Sequence, residues 1–434
     1  MESVKDKAIL AKEAFIILSN ADTKDKNKAL IFMAKSLDKN RKKILEANSL
    51  DVTEAKKLLE KGELTESLVK RLEVTDSKID DMISGIKDVA KLEDPVGKTL
   101  SGIELDLGLE LYQIAVPIGV IGMVFESRPD VVPQIISLAL KSGNGVLLKG
   151  GRESAKTNRA IYEVLTDSIK NKSIPKNAFQ LLEKREEINE MLKLDKYIDL
   201  IIPRGSNDFV RFVQSNTKIP VLGHSDGICH AYVDKKYDEK KALGVCFDAK
   251  VQYPAVCNAI ETLLVHEKSA KKFLPKIGRM YKEAKVEMRC CPQSYEILKE
   301  LKVKKAKERD WSTEYNDLII SIKVVKSLED AVIHINKYGS HHTDTIITED
   351  KKASEYFLNF VDSSSVMLNA STRFADGFRY GKGAEIGIST GKIHARGPTG
   401  MEGMLIYKYK LIGNGHKVSD YVGKNAKPYT HRKL

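Results

Sequence analysis

Strand-like apolar runs alternate with amphipathic helical stretches from about residue 114 onward. The run at 114–125 has the composition of a buried strand, the stretch at 131–141 is typical of a helix, and GVLLK at 145–149 resembles a second short strand. Parallel strands need a crossover connection, which is usually a helix. This order therefore predicts an α/β fold built on parallel, doubly wound sheets.

The alternation starts again near Cys229, so we place the break between two α/β units near Gly227. A chain of 434 residues is also too long for one ordinary domain. Two segments fit neither unit, because one alternates polar and apolar residues like a hairpin and the other is a polar, basic tail. We predict a first domain at 1–100 and 117–227, a second at 228–398, and an arm made of 101–116 and 399–434.

The number and spacing of the cysteines indicate the cellular compartment of the protein. Their number is odd and their spacings match no zinc or CxxC motif, so we expect free thiols, no metal site and a reducing, cytoplasmic location. The N-terminal segment lacks the apolar core of a secretory signal, and no run approaches the ~18 apolar residues that span a bilayer. The five cysteines are Cys229, Cys246, Cys257, Cys290 and Cys291.

The net charge of +12 allows three interpretations. A basic chain can bind nucleic acid, or it can suit an anionic substrate and a phosphate-rich cofactor. Abundant lysines can also simply solvate helix surfaces. The lysines are interleaved with acids and form no clustered cationic face, so we favour solvated helices and expect no nucleic-acid partner.

The segment VQYPAVCNAIETLLVH at 251–266 contains the most informative cysteine. Cys257 follows Pro254 and precedes a strand-like run, so its thiol can face a cleft and attack an acyl carbon. Free cysteine is, however, a common core residue, and no neighbouring histidine supplies an obvious base. The local sequence therefore leaves both interpretations open.

Several long segments, in the right order from about residue 5 to about residue 420, resemble the γ-glutamyl phosphate reductases, a family within the aldehyde dehydrogenase superfamily. The resemblance implies an aldehyde-dehydrogenase-like fold with an NADP(H)-binding first domain, a catalytic second domain and an arm for oligomerisation. It also implies NADPH-dependent reduction of L-glutamyl 5-phosphate to L-glutamate 5-semialdehyde and phosphate, the second step of proline biosynthesis from glutamate. The segments are VPIGVIGMVFESRPDVV, ALKSGNGVLLKGGRESAKTN, LIIPRGSN, VLGHSDGICHAYVD, CNAIETLLVH, GSHHTDTIITED, VMLNASTRFADGFRYGKGAEIGIST and KIHARGPTGMEG.

The same resemblance assigns the catalytic residues. Cys257 attacks the acyl phosphate and expels phosphate, and the thioester then accepts a hydride. Asn258 belongs to the catalytic group, and nearby backbone N–H groups stabilise the oxyanion. Arg128 lies where hydrolytic relatives carry an oxyanion asparagine, so its guanidinium would hold phosphate or a carboxylate, or serve as a structural salt-bridge partner.

The cofactor residues follow from the resemblance as well. Lys149 takes the place of the lysine that contacts the ribose hydroxyls. Arg152, where NAD-dependent relatives carry an acid, would favour a 2′-phosphate and hence NADPH, with help from Ser154. In the turn before a helix, Gly205 would let the backbone approach the pyrophosphate, and Ser206 would cap the helix and contact phosphate.

The remaining assignments concern the nicotinamide ribose and the substrate. Glu314 would hold the nicotinamide ribose. For the polar end of the substrate we expect Arg373 to take the carboxylate and Asn369 and Ser371 to add hydrogen bonds. Arg396 would be a second cation, although each of these residues could instead brace a loop.

The alternative enzyme is an NAD-dependent hydrolytic aldehyde dehydrogenase. Its water-activating glutamate should fall near VLGHSDG, where no glutamate is present, and Arg152 also opposes it. The resemblance further implies a dimer or tetramer that pairs through the arm. We expect a separate glutamate 5-kinase to supply the acyl phosphate.

Overall fold

The computed structural model describes residues 2–169, 172–184 and 186–434. The chain divides into two compact units, Met1–Leu222 with Gly400–Leu434, and Gly223–Thr399. Residues 223–227, which the sequence analysis assigned to the first domain, fall in the second unit. Within the described residues, no helix is both long enough and apolar enough to cross a membrane.

The first unit begins with helices. Leu30, Met33 and Leu37 bury one face of α2, because they recur at helical spacing between lysines and acids. Thr75 caps α5 by accepting a hydrogen bond from the Lys78 N–H. The helices are α1 Val4–Leu18, α2 Thr23–Lys39, α3 Arg41–Glu60, α4 Glu66–Leu72 and α5 Asp76–Lys91.

A four-stranded parallel sheet forms the core of this unit, in the order β5-β4-β3-β6. Strand order reverses between β3 and β6, and such a switch point leaves a crevice at the carboxyl ends of the strands. The elements are β1 Thr99–Asp106, β2 Leu109–Pro117, β3 Val120–Phe125, α6 Val131–Ser142, β4 Gly145–Lys149, α7 Ala155–Asp167, β5 Phe179–Leu182, α8 Glu187–Met191, β6 Leu200–Arg204 and α9 Asn207–Ser215.

The second unit contains a seven-stranded parallel sheet in the order β10-β9-β11-β8-β7-β12-β13. The predicted parallel α/β fold is thus confirmed in both units. The elements are β7 Cys229–Val233, α10 Glu239–Val251, β8 Ile260–His266, α11 Glu267–Glu283, β9 Glu287–Cys290, α12 Pro292–Leu298, β10 Lys304–Lys305, β11 Ile319–Val325, α13 Leu328–Tyr338, β12 Thr343–Ile347, α14 Lys351–Phe360, β13 Ser365–Leu368, β14 Gly387–Ser389 and β15 Gly397–Thr399.

A separate antiparallel sheet joins the hairpin of β1 and β2 to the tail of the chain. It has the order β16-β2-β1-β17, where β16 is Leu405–Ile412 and β17 is Arg432–Lys433. Tyr409 and Leu411 of the edge strand β16 are more than half exposed. An exposed edge strand of this kind has unpaired backbone groups that another strand can bond.

Candidate active site

Cys257 lies in the connection between α10 and β8, and its position is fixed by the first residue of β7 and by a glycine that precedes this strand. The Sγ of Cys229 donates a hydrogen bond to the Cys257 carbonyl oxygen at 3.2 Å. A β-carbon built on Gly227 would lie 2.3 Å from that oxygen and 2.5 Å from the Cys257 α-carbon. The loop therefore packs directly against the Gly227 backbone, and only glycine fits there.

Accessibility distinguishes Cys257 from the other cysteines. It is half-buried, whereas the remaining four are buried, and all five lie in the described residues. Burial raises the pKa of Cys246 well above its ordinary value and raises the pKa of Cys290 to about 12. A thiolate is the reactive form of cysteine, so these buried thiols are poor nucleophiles.

Two histidines that the sequence analysis missed lie beside Cys257. Three possible ligand atoms, one each from His224, Cys257 and His342, all lie within 4.8 Å of one another. The three residues lie just before β7, β8 and β12, which are neighbouring parallel strands, so they meet at the amino edge of the sheet. Only the strand order could have revealed this, because the three residues are far apart in sequence.

Both imidazoles are held through Nδ1. In His224, Nδ1 donates to the Ile388 carbonyl oxygen at 2.7 Å. In His342, Nδ1 lies 2.9 Å from the Thr343 Oγ1 and 3.6 Å from the Cys229 Sγ, while its buried Nε2 has no hydrogen-bond partner among the described residues. The two rings meet edge to face, with centroids 4.8 Å apart.

Arg373 brings positive charge towards Cys257. Its side chain is buried, and its Nε donates to the Gln252 Oε1 at 3.0 Å. Burial and the nearby Arg379 lower the pKa of Arg373, whereas the negative charge that Cys257 can carry opposes this shift. The guanidinium of Arg373 therefore lies close enough to Cys257 for the two groups to interact electrostatically.

The other predicted substrate residues have roles within the protein. The Asn369 amide pairs with the Thr348 N–H and carbonyl oxygen, both at 3.0 Å, beyond the carboxyl end of β12. The Ser371 hydroxyl accepts from the Arg373 N–H and caps a short 3₁₀ turn. The structure thus brings Arg373, but not Asn369, to the amino edge where Cys257 lies.

Arg396 and Asn258 also contact other parts of the second unit. The Arg396 guanidinium donates to the Asp362 carboxylate at 3.0 Å and to the Asp362 carbonyl oxygen at 3.1 Å. Asn258 is buried and donates through Nδ2 to the Ala375 carbonyl oxygen at 2.8 Å. Its Oδ1 has no hydrogen-bond partner within the described part of the chain.

In the first unit, Lys149 ends β4 at the carboxyl edge of the parallel sheet. Its side chain is buried, burial lowers its pKa, and its Nζ donates to the Gly150 carbonyl oxygen. An ammonium has three donors, and this is the one acceptor recorded for it in the described residues. A buried lysine at this edge is suited to contact ligand hydroxyls.

The segment after β4 contains two residues that were predicted to bind the 2′-phosphate, and only one of them has free hydrogen-bond donors. Arg152 is exposed, and its side chain makes no hydrogen bond or ion pair within the described ranges. The Ser154 hydroxyl is buried, donates to the Gly151 carbonyl oxygen at 3.2 Å and accepts from the Asn158 Nδ2 at 2.9 Å. In this conformation Ser154 has no hydrogen left for a phosphate, whereas Arg152 has its full set of donors.

Gly205 and Ser206 form the turn between β6 and α9. Ser206 is at the N-cap position, but its side chain makes no capping hydrogen bond. Instead the Ser206 N–H donates to the Glu126 Oε2 at 2.7 Å, and a β-carbon on Gly205 would lie 2.5 Å from the same oxygen. A carboxylate therefore occupies the helix start where we predicted a phosphate.

The last two predicted residues lie in different units. Arg128, which is half-buried, follows Ser127 at the end of β3 in the first unit, and its side chain makes no hydrogen bond or ion pair in the described ranges. Ser127 has a positive φ of 39°, held by hydrogen bonds from its N–H and hydroxyl to the Glu153 Oε1. Glu314 precedes β11 in the second unit and is half-buried.

Comparison with known proteins identifies the family. The model of the aldehyde dehydrogenase family matches residues 2–294. A gamma-glutamyl phosphate reductase from Methanosarcina acetivorans is 62% identical over 437 residues, covering 100% of this chain and 98% of the relative. The chain belongs to the aldehyde dehydrogenase family, within the γ-glutamyl phosphate reductase group. This membership implies a nicotinamide cofactor.

Two further comparisons agree. A gamma-glutamyl phosphate reductase from Methanococcoides burtonii is 60% identical over 435 residues, covering 99% of this chain and 97% of the relative. The crystal structure of the gamma-glutamyl phosphate reductase of Thermotoga maritima matches with a TM-score of 0.92 at 44% identity, covering 96% of this chain and 100% of that one. The predicted family and its fold are confirmed.

Proposed function

We propose that the chain reduces L-glutamyl 5-phosphate to L-glutamate 5-semialdehyde and phosphate through a thioester on Cys257, with NADPH as the reductant. The observation that carries the proposal is the geometry of Cys257, a half-buried thiol whose loop is held by Gly227 and Cys229 and which interacts electrostatically with the buried Arg373. The relatives named gamma-glutamyl phosphate reductase support the choice of substrate.

Residues of the second unit would carry out acyl transfer. The Cys257 thiolate attacks the acyl carbon and forms the C–S bond while the C–O bond to phosphate breaks, and Arg373 would take the carboxylate of the substrate. The N–H groups of Cys257 and Asn258 have no hydrogen-bond partner within the described residues, so they are available to the oxyanion. We therefore assign the catalytic contribution of Asn258 to its backbone.

The first unit carries the residues for the cofactor. Bound NADPH supplies the hydride. The Lys149 ammonium would hold ribose hydroxyls, and Gly205 with Ser206 would receive the pyrophosphate once Glu126 has moved away from the helix start. Arg152 would bind the 2′-phosphate, because its guanidinium is exposed and has no partner in the described ranges.

Five further residues would bind or support the substrate and the cofactor. Arg128 has an uncommitted guanidinium and would bind phosphate or a carboxylate. Glu314 would hold the nicotinamide ribose. Asn369, Ser371 and Arg396 would support the substrate wall through their contacts in the second unit rather than through direct binding.

Three wider proposals concern the setting of the enzyme. The edge strand β16 would pair with another subunit and give a dimer or tetramer. A separate glutamate 5-kinase would supply the labile acyl phosphate. Five free cysteines favour the reducing environment of the cytoplasm.

The test of the proposed function is the reverse reaction. We expect oxidation of L-glutamate 5-semialdehyde by NADP⁺ to require inorganic phosphate and to form the acyl phosphate. The competing function, NAD-dependent hydrolytic aldehyde oxidation, predicts turnover without phosphate and release of free glutamate. Turnover of that second kind would reject the proposal.

A further inference from the structure

Three side chains at the amino edge of the second unit offer the ligand set of a soft metal ion. A thiol and two imidazoles from Cys257, His224 and His342 converge with their ligand atoms within 4.8 Å of one another. Thiolate and imidazole are the donors that Zn²⁺ and related ions prefer over hard oxygen ligands. None of these residues comes from a sequence motif with zinc-ligand spacing.

Each of the two histidines has its Nδ1 within hydrogen-bond distance of an oxygen atom. A ligating imidazole usually engages its second ring nitrogen with a carbonyl or another polar group, which fixes the ring. The Nδ1 of His224 contacts the Ile388 carbonyl oxygen, and the Nδ1 of His342 contacts the Thr343 Oγ1. The Nε2 of His342 is buried and has no partner in the described ranges, which is costly unless something binds it.

We propose that Cys257, His224 and His342 form a binding site for Zn²⁺ or a similar soft divalent cation. Zn–S and Zn–N bonds of about 2.3 and 2.0 Å place tetrahedral ligand atoms roughly 3.3–3.6 Å apart. The observed 4.8 Å cluster must therefore contract by about an ångström. Cys257 lies in a loop and is half-buried like His224, so side-chain rotation can supply this movement.

Binding converts the nucleophile into a metal ligand. The Cys257 thiol gives its proton to the buffer, a Zn–S bond forms, and no oxidation or reduction occurs. Three protein ligands leave the fourth position to water or to an anion. The site goes beyond the proposed function, because metal occupancy of Cys257 would reversibly block acyl transfer rather than assist it.

Direct metal binding by the full-length chain tests the proposal. After chelator treatment, calorimetric titration with Zn²⁺ alone should show one equivalent of binding, and Co²⁺ should give a thiolate charge-transfer band. Cys257→Ser should abolish that band. Cys257→Ser and His224→Gln should each weaken Zn²⁺ binding by at least about 100-fold, because losing a ligand costs more than the about 10–100-fold caused by losing a ligand's hydrogen-bond partner.

Matched controls separate this site from adventitious binding. Cys246→Ala and His416→Gln lie elsewhere and should leave Zn²⁺ affinity unchanged. His342→Gln should weaken binding as the other ligand variants do, and circular dichroism checks its folding because His342 is buried. Unchanged Zn²⁺ affinity in well-folded Cys257→Ser and His224→Gln would overturn the proposal, whatever the reductase assay shows.

Discussion

The backbone of Gly227 lies directly against Cys257, with no room for a side chain between them. Gly227→Ala would place a methyl group 2.3 Å from the Cys257 carbonyl oxygen and so displace Cys257, the proposed nucleophile. A misplacement of about 1 Å can cost about 10²-fold in rate, so we expect kcat to fall by about that factor. Steady-state NADPH oxidation with glutamyl phosphate measures it.

A second glycine provides the control for this variant. A β-carbon on Gly244, in α10 of the same unit, would meet nothing within 4 Å. Gly244→Ala should keep kcat and stabilise the helix by up to about 1 kcal/mol. Wild-type kcat in Gly227→Ala would show that the close approach does not position Cys257.

The carboxylate of Glu126 should compete with the cofactor for the start of α9. It accepts from the Ser206 N–H, and a helix N-terminus favours a negative group by about 0.3–1 kcal/mol. Glu126→Gln should therefore tighten NADPH binding about two- to fivefold in a fluorescence titration. Asp208 is an exposed acid in the first turn of the same helix, and Asp208→Asn should change the affinity for NADPH less than Glu126→Gln does. Weaker binding in Glu126→Gln would mean that Glu126 assists the cofactor.

Arg152 should determine the preference for NADPH over NADH. Its guanidinium is exposed and free of partners in the described ranges, and a hydrogen bond to a charged group contributes about 1.5–3 kcal/mol. Arg152→Gln should weaken NADPH binding by roughly 10- to 100-fold and leave NADH binding nearly unchanged. Arg159→Gln, on the following helix, should not discriminate between the cofactors. An equal loss for both cofactors in Arg152→Gln would contradict the assignment.

The buried His334 should make the second unit sensitive to acid. Burial, together with the nearby His230 and Lys323, lowers the pKa of His334 to about 2. The unfolded chain protonates this histidine below about pH 6.5, whereas the folded chain keeps it neutral. The free energy of unfolding should therefore fall by about 1.4 kcal/mol per pH unit below that value, since the unfolded state binds the extra proton.

Denaturant titrations between pH 7 and pH 5 check this dependence. His334→Gln should reduce the slope of the unfolding free energy against pH by the equivalent of about one proton, even if the variant is less stable at pH 7. His416→Gln, outside the core, should keep the wild-type slope. An unchanged slope in His334→Gln would mean that other groups cause the acid sensitivity.

The sequence predicted the architecture well, but it did not predict which polar side chains are free to bind a ligand. Alternating strand and helix patterns specify parallel units, because each pattern is local and each crossover must return over the sheet. They do not show whether a polar side chain is already engaged. Ser154 and Arg396 have residue types that suit their predicted roles. Both side chains nevertheless form hydrogen bonds to other groups of the protein.

The histidines illustrate a second limit. His224 and His342 come together with Cys257 because β7, β8 and β12 are adjacent, and adjacency in a parallel sheet follows from topology. Local sequence contains no such information. The resemblance assigned the role of nucleophile to Cys257 without revealing the groups around its thiol.

A trapped acyl-enzyme tests the central claim most directly. The chain is incubated with L-glutamate 5-semialdehyde and NADP⁺ without phosphate, quenched in acid and analysed by peptide mass spectrometry. We predict a glutamyl adduct on the peptide that contains Cys257, absent from Cys257→Ser and discharged by added phosphate. Phosphate-dependent turnover in well-folded Cys257→Ser, or an adduct on another residue, would contradict the account.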